Sequence, residues 1–267
     1  DLYNFFVELV TVGGHVELVE NDNAVLLYSF TRLEGIDGHL WIVDNERLES
    51  LEGFDHLTDV TDEVLIADNP ALQTIGGFRV LENVGELTIT GNGLTEIDGF
   101  EDVQTVTSSG VHITDNPNLG SIEMFASIQF VAGDLELRNN PQVANFYAAF
   151  TLQQLDGSVI IVDNDALFDL STFPTLATLS GSLVVRNNDS LVTMAGLGTP
   201  SAVGMDLVLD DNDSLVDVTT LHPLLAVGND LTVTDNGALP TANADALRDA
   251  IGVGNIGGAV TISGNLP

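Results

Sequence analysis

Aliphatic and variable residues alternate in a nine-residue pattern that recurs along the chain. In its clearest copy, residues 40–48, Leu40 and Ile42 alternate with other residues, Asn45 follows, and Leu48 lies three positions further on. Alternation with a period of two is typical of a β-strand, and the polar residues behind it indicate a turn. Further clear copies cover residues 64–72, 111–119, 135–143, 159–167, 183–191, 207–215 and 231–239.

The central asparagine of this pattern sets the period of the chain. Its positions are Asn21, Asn45, Asn69, Asn92, Asn116, Asn140, Asn164, Asn188, Asn212, Asn236 and Asn265. Successive members are 24 residues apart, except for one step of 23 and a last step of 29. A fixed period of this length predicts a repeat protein, so we expect one solenoid domain over residues 1–267, with about eleven 24-residue coils.

Within one unit, the apolar positions favour an all-β solenoid. From Asn45 onward they recur every third residue from 48 to 60 and then alternate at 64 and 66. This spacing suits short extended segments separated by bends and differs from the 3.6-residue period of a helix. After Pro240 the sequence becomes rich in alanine, which predicts a short helix at about 242–251. A last strand is expected at about 260–262.

The repeat resembles the receptor L-domain branch of leucine-rich-repeat-like proteins. The matching pattern is Leu-x-x-Leu-x-Gly-Phe, then Leu-x-x-Val, then Leu-x-Ile-x-x-Asn, and it covers nearly the whole chain. The resemblance implies a right-handed β-helix, as in bacterial surface proteins, and implies no catalytic residues. Two features depart from that family: the chain has no cysteine, and the array is longer than most.

The charge of the chain restricts its partners. Forty acidic residues face six basic ones, all of them arginine, and the net charge is −34. Nucleic acid and anionic membranes are therefore not expected as partners, because both require a basic surface. An acidic coat suits a protein dissolved in saline water. We expect an extracellular or cell-surface location, with any secretory signal removed before Asp1.

The asparagine column is expected to be structural, because stacked amides can bond to turn backbone and to one another. Asparagine also tolerates left-handed backbone, so we expect that conformation at these positions. An acidic column runs beside the asparagines, and carboxylate clusters of this kind bind calcium. A solvated edge is the alternative. The calcium hypothesis concerns Asp44, Asp68, Asp163, Asp165, Asp211 and Asp213.

Three further sets of residues suggest weaker hypotheses. His15 and His39 share one phase in adjacent coils and could share a metal ion. Outward threonines would suit ice binding, but charged and aliphatic residues interrupt their rows. Apolar residues at outward strand positions indicate a partner or a covering loop. They are Trp41, Val43, Leu65, Ala67, Ile160, Val162 and Val184.

No catalytic motif is recognisable, so the sequence favours a protein that is not an enzyme and needs no cofactor, calcium apart. The leading hypothesis is a structural or adhesive repeat protein that associates end to end into a filament. The residues expected at that contact are Tyr3, Phe5, Phe6, Val260 and Ile262. The alternative is an L-domain-like binding module that recognises a glycan or a protein on one sheet face.

Overall fold

The computed structural model describes residues 2–3, 6–147, 151–170, 173–198 and 200–267. The chain forms a parallel β-solenoid with one α-helix, as the sequence predicts. It has about nine turns of about 24 residues, which is fewer than the eleven expected. The difference arises because eleven asparagines bound only ten intervals, and the last interval of 29 residues contains the helix.

Each turn carries strands in up to three places, and each strand pairs in parallel with the strand one turn away. The front strands lie just before the asparagines. They are Val16–Val19, Leu40–Val43, Asp134–Arg138, Val159–Val162, Leu183–Arg186, Leu207–Asp210, Leu231–Thr234 and Val260–Ser263. Residues one period apart are register partners, as with Leu183 and Leu207. One repeated sequence therefore gives one repeated pairing.

The middle strands precede the front strands by a sharp corner. They are Thr11–Val12, Gly35–Ile36, Phe130–Val131, Gln154–Leu155, Thr178–Leu179, Ala202–Val203 and Ala226–Val227. In the third to fifth coils the middle and front strands merge into longer strands, Asp59–Ala67, Asn83–Thr90 and Thr105–Thr114. Residues 106–111 are therefore part of one continuous extended segment.

The rear strands follow the asparagine turns and form two smaller sheets. They are Leu2–Tyr3, Leu26–Tyr28, Ser50–Glu52 and Thr74–Ile75 in one sheet, and Glu96–Ile97, Ser121–Glu123 and Asn145–Tyr147 in the other. All three sets of strands turn their alternate apolar residues towards one continuous core.

A column of phenylalanines runs through this core. Phe6, Phe30, Phe54, Phe78 and Phe100 stack in sequence, with ring centroids 5.0–5.2 Å apart and planes within 7–11° of parallel. The spacing matches the separation of neighbouring strands, about 4.8 Å, so each ring lies on the ring of the coil before it. Identical residues at one phase thus pack against one another from coil to coil.

The corner between the middle and front strands requires glycine because neighbouring coils approach closely there. A Cβ atom built on Gly133 would lie 1.8 Å from Ser109 O, and one on Gly157 would lie 2.3 Å from Gly133 C. Gly181 meets the backbone of Gly157 in the same way, at 2.5 Å. No side chain fits at such distances, so the column of glycines permits the tight corner.

The single α-helix in the described residues, Thr241–Ile251, begins one residue before the predicted position and ends where expected. It buries Ala244, Leu247 and Ile251 against the core and ends at Gly252, whose φ is 83°. Short 3₁₀ helices occupy Thr219–Leu221 and Val253–Asn255. The last strand, Val260–Ser263, is one residue longer than expected and continues the front sheet after the helix.

The asparagine column forms a hydrogen-bonded ladder along the solenoid. The backbone N–H of Asn140 donates to Asn164 Oδ1 at 3.1 Å. Asn164 Nδ2 in turn donates to the carbonyl oxygens of Leu137 and Val162, both at 3.0 Å. The backbone N–H of Asn164 donates to Asn188 Oδ1 at 3.1 Å. Each interior asparagine therefore links three successive coils through its side chain and its backbone N–H, and the members from Asn45 to Asn236 are buried.

Replacing a central ladder asparagine should destabilise the fold. Asn164→Ala leaves the Asn140 N–H and two carbonyl oxygens without their buried partner, so we expect a loss of about 1–3 kcal/mol. Asn21→Ala should cost less, because Asn21 is partly exposed and water can replace its bond to Val19 O. Denaturant unfolding followed by circular dichroism measures both losses.

Asn118→Ala is the matched control, because Asn118 is exposed and lies outside the ladder. Its unfolding midpoint should remain close to that of the unchanged protein. Equal and negligible losses for Asn164→Ala and Asn118→Ala would show that the ladder does not stabilise the fold.

Candidate functional site

The outer surface of the front strands, here called the front face, runs the length of the front sheet. Register pairing aligns the outward side chains of successive coils in rows along it. The first row is Glu17, Trp41, Leu65, Thr88, His112, Glu136, Ile160, Val184, Val208, Thr232 and Thr261. Neighbouring rows are close enough for their side chains to interact, so the face is a candidate binding surface.

An aromatic cluster lies at the amino-terminal end of the front face. The His15 and His39 rings stack with centroids 4.0 Å apart, and His39 stacks on Trp41 at 4.0 Å. Glu17 Oε1 lies 3.1 Å from His39 Nε2, and the Trp41 indole N–H donates to Glu63 Oε2 at 2.9 Å. The structure brings the two histidines together as ring partners, and His15 Nδ1 accepts the backbone N–H of His39.

A charged network occupies the middle of the front face. His112 Nδ1 lies 3.1 Å from Glu136 Oε2, and His112 Nε2 lies 3.8 Å from Glu86 Oε1. Arg138 Nε donates to Glu136 Oε1 at 2.7 Å. Partial burial alone would raise the pKa of Glu136, but the hydrogen bonds from Arg138 and His112 outweigh it and lower the pKa. Glu136 is thereby held as a carboxylate between the Arg138 guanidinium and the His112 ring.

The apolar outward residues are less exposed than the sequence suggests. Ala67 and Val162 are 5% and 6% exposed, and Trp41 is partly covered by its neighbours. Val162 lies between Arg138 and Arg186 in the register of the sheet, where long arginine stems can cover it. The expected apolar stripe is therefore broken, and the front face is mainly polar.

The acidic column coincides with the left-handed residues of the asparagine turns. Its members have φ of 53–59°, or 67° and 71° at the two glycines. They are Glu20, Asp44, Asp68, Gly91, Asp115, Asn139, Asp163, Asn187, Asp211, Asp235 and Gly264. Left-handed backbone was expected at the ladder asparagines and lies one residue before them instead. Asp, Asn and Gly tolerate this conformation best, which explains the composition of the column.

Amides relieve part of the repulsion within this column. Asn139 Nδ2 donates to Asp115 Oδ1 at 2.5 Å, and Asn187 Nδ2 donates to Asp163 Oδ1 at 2.9 Å. The two asparagines that interrupt the acidic column therefore bridge its carboxylates, a role that the residue pattern alone did not indicate. Beside the ladder, they add further contacts between coils.

The six calcium candidates divide between two neighbouring columns. Asp44, Asp68, Asp163 and Asp211 lie in the left-handed column, whereas Asp165 and Asp213 follow the ladder asparagines. In the described part of the chain, no three His, Asp or Glu side chains come together in a way that could hold a metal ion. The calcium hypothesis therefore stays a prediction for these six residues.

A second ladder, which sequence reasoning missed, lies six residues before the asparagines. The backbone N–H groups of Ser158, Ser182 and Asp206 donate to side-chain oxygens of the preceding coil, at 2.6, 3.0 and 3.2 Å. In the last coils, the carboxylates of Asp206 and Asp230 accept the equivalent backbone N–H groups of the coil that follows each. Its signal was a column of Ser and Asp with a period of 24 residues.

Comparison with known proteins identifies no family. No protein-family model matches the chain, and the curated proteins give no match. The parallel strands show the β-solenoid fold, whereas the L-domain resemblance rests on the residue pattern alone. Within the described residues, no helix is long and apolar enough to span a membrane.

Replacing Asp189 or Asp217 with asparagine should change the melting temperature, in opposite directions for the two variants. Loss of hydration and then the charges of Asp165, Asp213 and Asp211 raise the pKa of Asp189. The folded state thus disfavours ionised Asp189. The stability that protonated Asp189 contributes is present below the ordinary aspartate pKa and is lost as pH rises through the raised pKa. Asp189→Asn should raise the melting temperature at neutral pH, and sodium chloride should reduce the gain by screening.

Asp217→Asn is the contrasting variant. Asp217 Oδ1 accepts the backbone N–H of Thr219 at 2.8 Å, and this bond lowers the pKa of Asp217. Its stabilisation is present above the ordinary aspartate pKa and is lost as pH falls through the lowered value. The variant should therefore melt at a lower temperature. Thermal melts of both variants from pH 3 to 7 test the pair, and shifts of equal sign would contradict the assignment.

Proposed function

We propose that this chain is a non-catalytic structural or adhesive repeat protein of an extracellular or cell-surface setting, which associates end to end. The observation that supports the proposal is the uniform polarity of the asparagine ladder. Every backbone N–H donates to the asparagine of the next coil, from Asn21 to Asn265. The array is therefore directional, and this polarity favours extension by a second copy of the chain in the same orientation.

The outer coils carry groups suited to such a contact. Phe6 is 48% exposed and stacks on Phe30, so its outer ring face can receive another side chain. At the other edge, Val260 and Ile262 pair with Leu231 and Val233 on one side only among the described strands. Contact between unlike edges is heterologous and open, so it builds a filament.

The remaining residues of the predicted contact contribute differently. Tyr3 belongs to the strand Leu2–Tyr3, which pairs with Leu26–Tyr28. Phe5 lies outside the described residues. The contact is therefore argued from Phe6, Val260 and Ile262, with Tyr3 supplying backbone pairing.

Charged substitutions at the outer coils should abolish association. Phe6→Glu and Ile262→Glu place a carboxylate in the apolar contact, so filaments seen by electron microscopy and light scattering should be lost. Phe168→Glu is the matched control, because Phe168 is 55% exposed on the side of the solenoid. Circular dichroism checks that each variant folds.

This experiment must be done at high protein concentration and high salt, which screens the acidic charge. If the unchanged protein stays monomeric there, end-to-end association is wrong. If Phe168→Glu is as harmful as Phe6→Glu, the contact is lateral.

A second proposal is an L-domain-like binding module that recognises a glycan or protein on the front face. The observation that favours it is the ordered aromatic and charged set around Trp41, His112 and Glu136. Side chains held by such contacts are preorganised, so binding costs little ordering.

Binding to a glycan array or capture of a surface protein tests the module. His112→Ala should weaken a front-face ligand at least about tenfold, because it removes a charge-assisted contact. His56→Ala, on an exposed histidine away from this network, should leave binding unchanged. Equal losses in both variants, or no saturable binding by the monomer, would exclude the front face.

A further inference from the structure

A groove of about 520 Å³ opens on the rear of the solenoid, near the middle of the array. It is independent of the front face and of the outer coils. Its walls combine carboxylates with apolar groups, and the lining residues are Asp98, Glu101, Glu123, Met124, Ala126 and Tyr147. Such a mixture of charge and apolar surface is typical of a small ligand site.

The groove lies where the regular rear corner is interrupted. Gly99 precedes Phe100 at this corner, as glycine does in the two coils before it, but Met124 precedes Phe125. Phe125 has φ of 58°, which is rare for a bulky side chain. The ring stack is disturbed as well, because Phe100 and Phe125 lie 6.5 Å apart and are tilted by 43°. The rear strands Glu96–Ile97 and Ser121–Glu123 still pair beside it, so the interruption is confined to the corner.

Two carboxylate oxygens at the groove lack the donors that burial requires. Asp98 Oδ1 and Glu101 Oε2 are withdrawn from solvent and accept no hydrogen bond from the described residues. Arg79 Nη2 lies 3.3 Å from Asp98 Oδ2, which is the other oxygen of that carboxylate. Arg79 therefore supplies no donor to the two unpaired oxygens. The two side chains are otherwise partly exposed, Asp98 to 40%, and a ligand that brings N–H donors would give both oxygens a partner.

The side chains distinguish between classes of cation. Among the described residues, no three carboxylate or histidine groups converge in a geometry that could hold a metal ion. The groove instead offers separated acceptors together with the Tyr147 ring and the Met124 thioether. An aromatic ring attracts an organic cation through its face, and the thioether packs against an alkyl stem.

The geometry points to this groove as a binding site for a guanidinium or primary ammonium group on an alkyl stem. Glu101 and Asp98 accept its N–H groups, Glu123 adds negative charge, and Tyr147 lies against its stem. The same chemistry is offered by a free alkylamine and by an arginine or lysine side chain of a partner protein.

Titration calorimetry with agmatine and with N-acetyl-arginine amide tests the site. Because the whole chain is acidic, the measurements are made in about 0.3 M sodium chloride, which screens non-specific attraction. We expect saturable one-to-one binding. Glu101→Gln should weaken it at least about tenfold, since a charged hydrogen-bond acceptor is lost. Tyr147→Ala should weaken it several-fold.

Glu49→Gln is the matched control, because it makes the same change of charge at an exposed residue two coils away from Glu101. Binding by this variant should stay within about twofold of the unchanged protein. Binding of both probes assigns the site to a side chain or a free amine, and binding of agmatine alone assigns it to a free amine. Absence of saturable binding, equal weakening by Glu49→Gln and Glu101→Gln, or calcium binding that Glu101→Gln removes would overturn the inference.

Discussion

In-register stacking of coils is the constraint on which the rest of the structure depends. Each residue lies about one strand spacing from its counterpart in the next coil, so every side chain must be compatible with the one at the same phase. Asparagine meets this condition because one amide both donates and accepts, as Asn164 does between Asn140 and Asn188. Phenylalanine meets it because flat rings stack at this distance, as Phe54 and Phe78 do.

Carboxylates meet the same condition poorly, and the chain handles this in two ways. Where Asn139 or Asn187 replaces an aspartate, its amide bridges the carboxylate of the coil before it. Where Asp189 lies between Asp165 and Asp213, no such amide intervenes, and loss of hydration together with these neighbouring charges raises the pKa of Asp189. The acidic coat thus adds negative charge to the surface, and particular residues such as Asp189 are ionised less readily as a result.

The proposed activities use different consequences of the same stacking. Directional ladders support extension by a second copy, and the flat front face holds the network around His112 in a fixed arrangement. The rear groove arises from the opposite condition, an interruption of the stacking at Phe125.

The period, the strand class, the core positions and the terminal helix could all be predicted from the sequence, because apolar and asparagine residues at fixed spacing have only one way to stack. The number of turns, the left-handed residue before each asparagine and the ladder through Ser158 and Ser182 were decided only by the tertiary structure. So were the burial of Ala67 and Val162 and the groove beside Tyr147. These features depend on backbone angles and on contacts between residues 24 or more positions apart. The sequence shows that such residues occupy equivalent positions in the repeat, but it does not show how close their atoms lie.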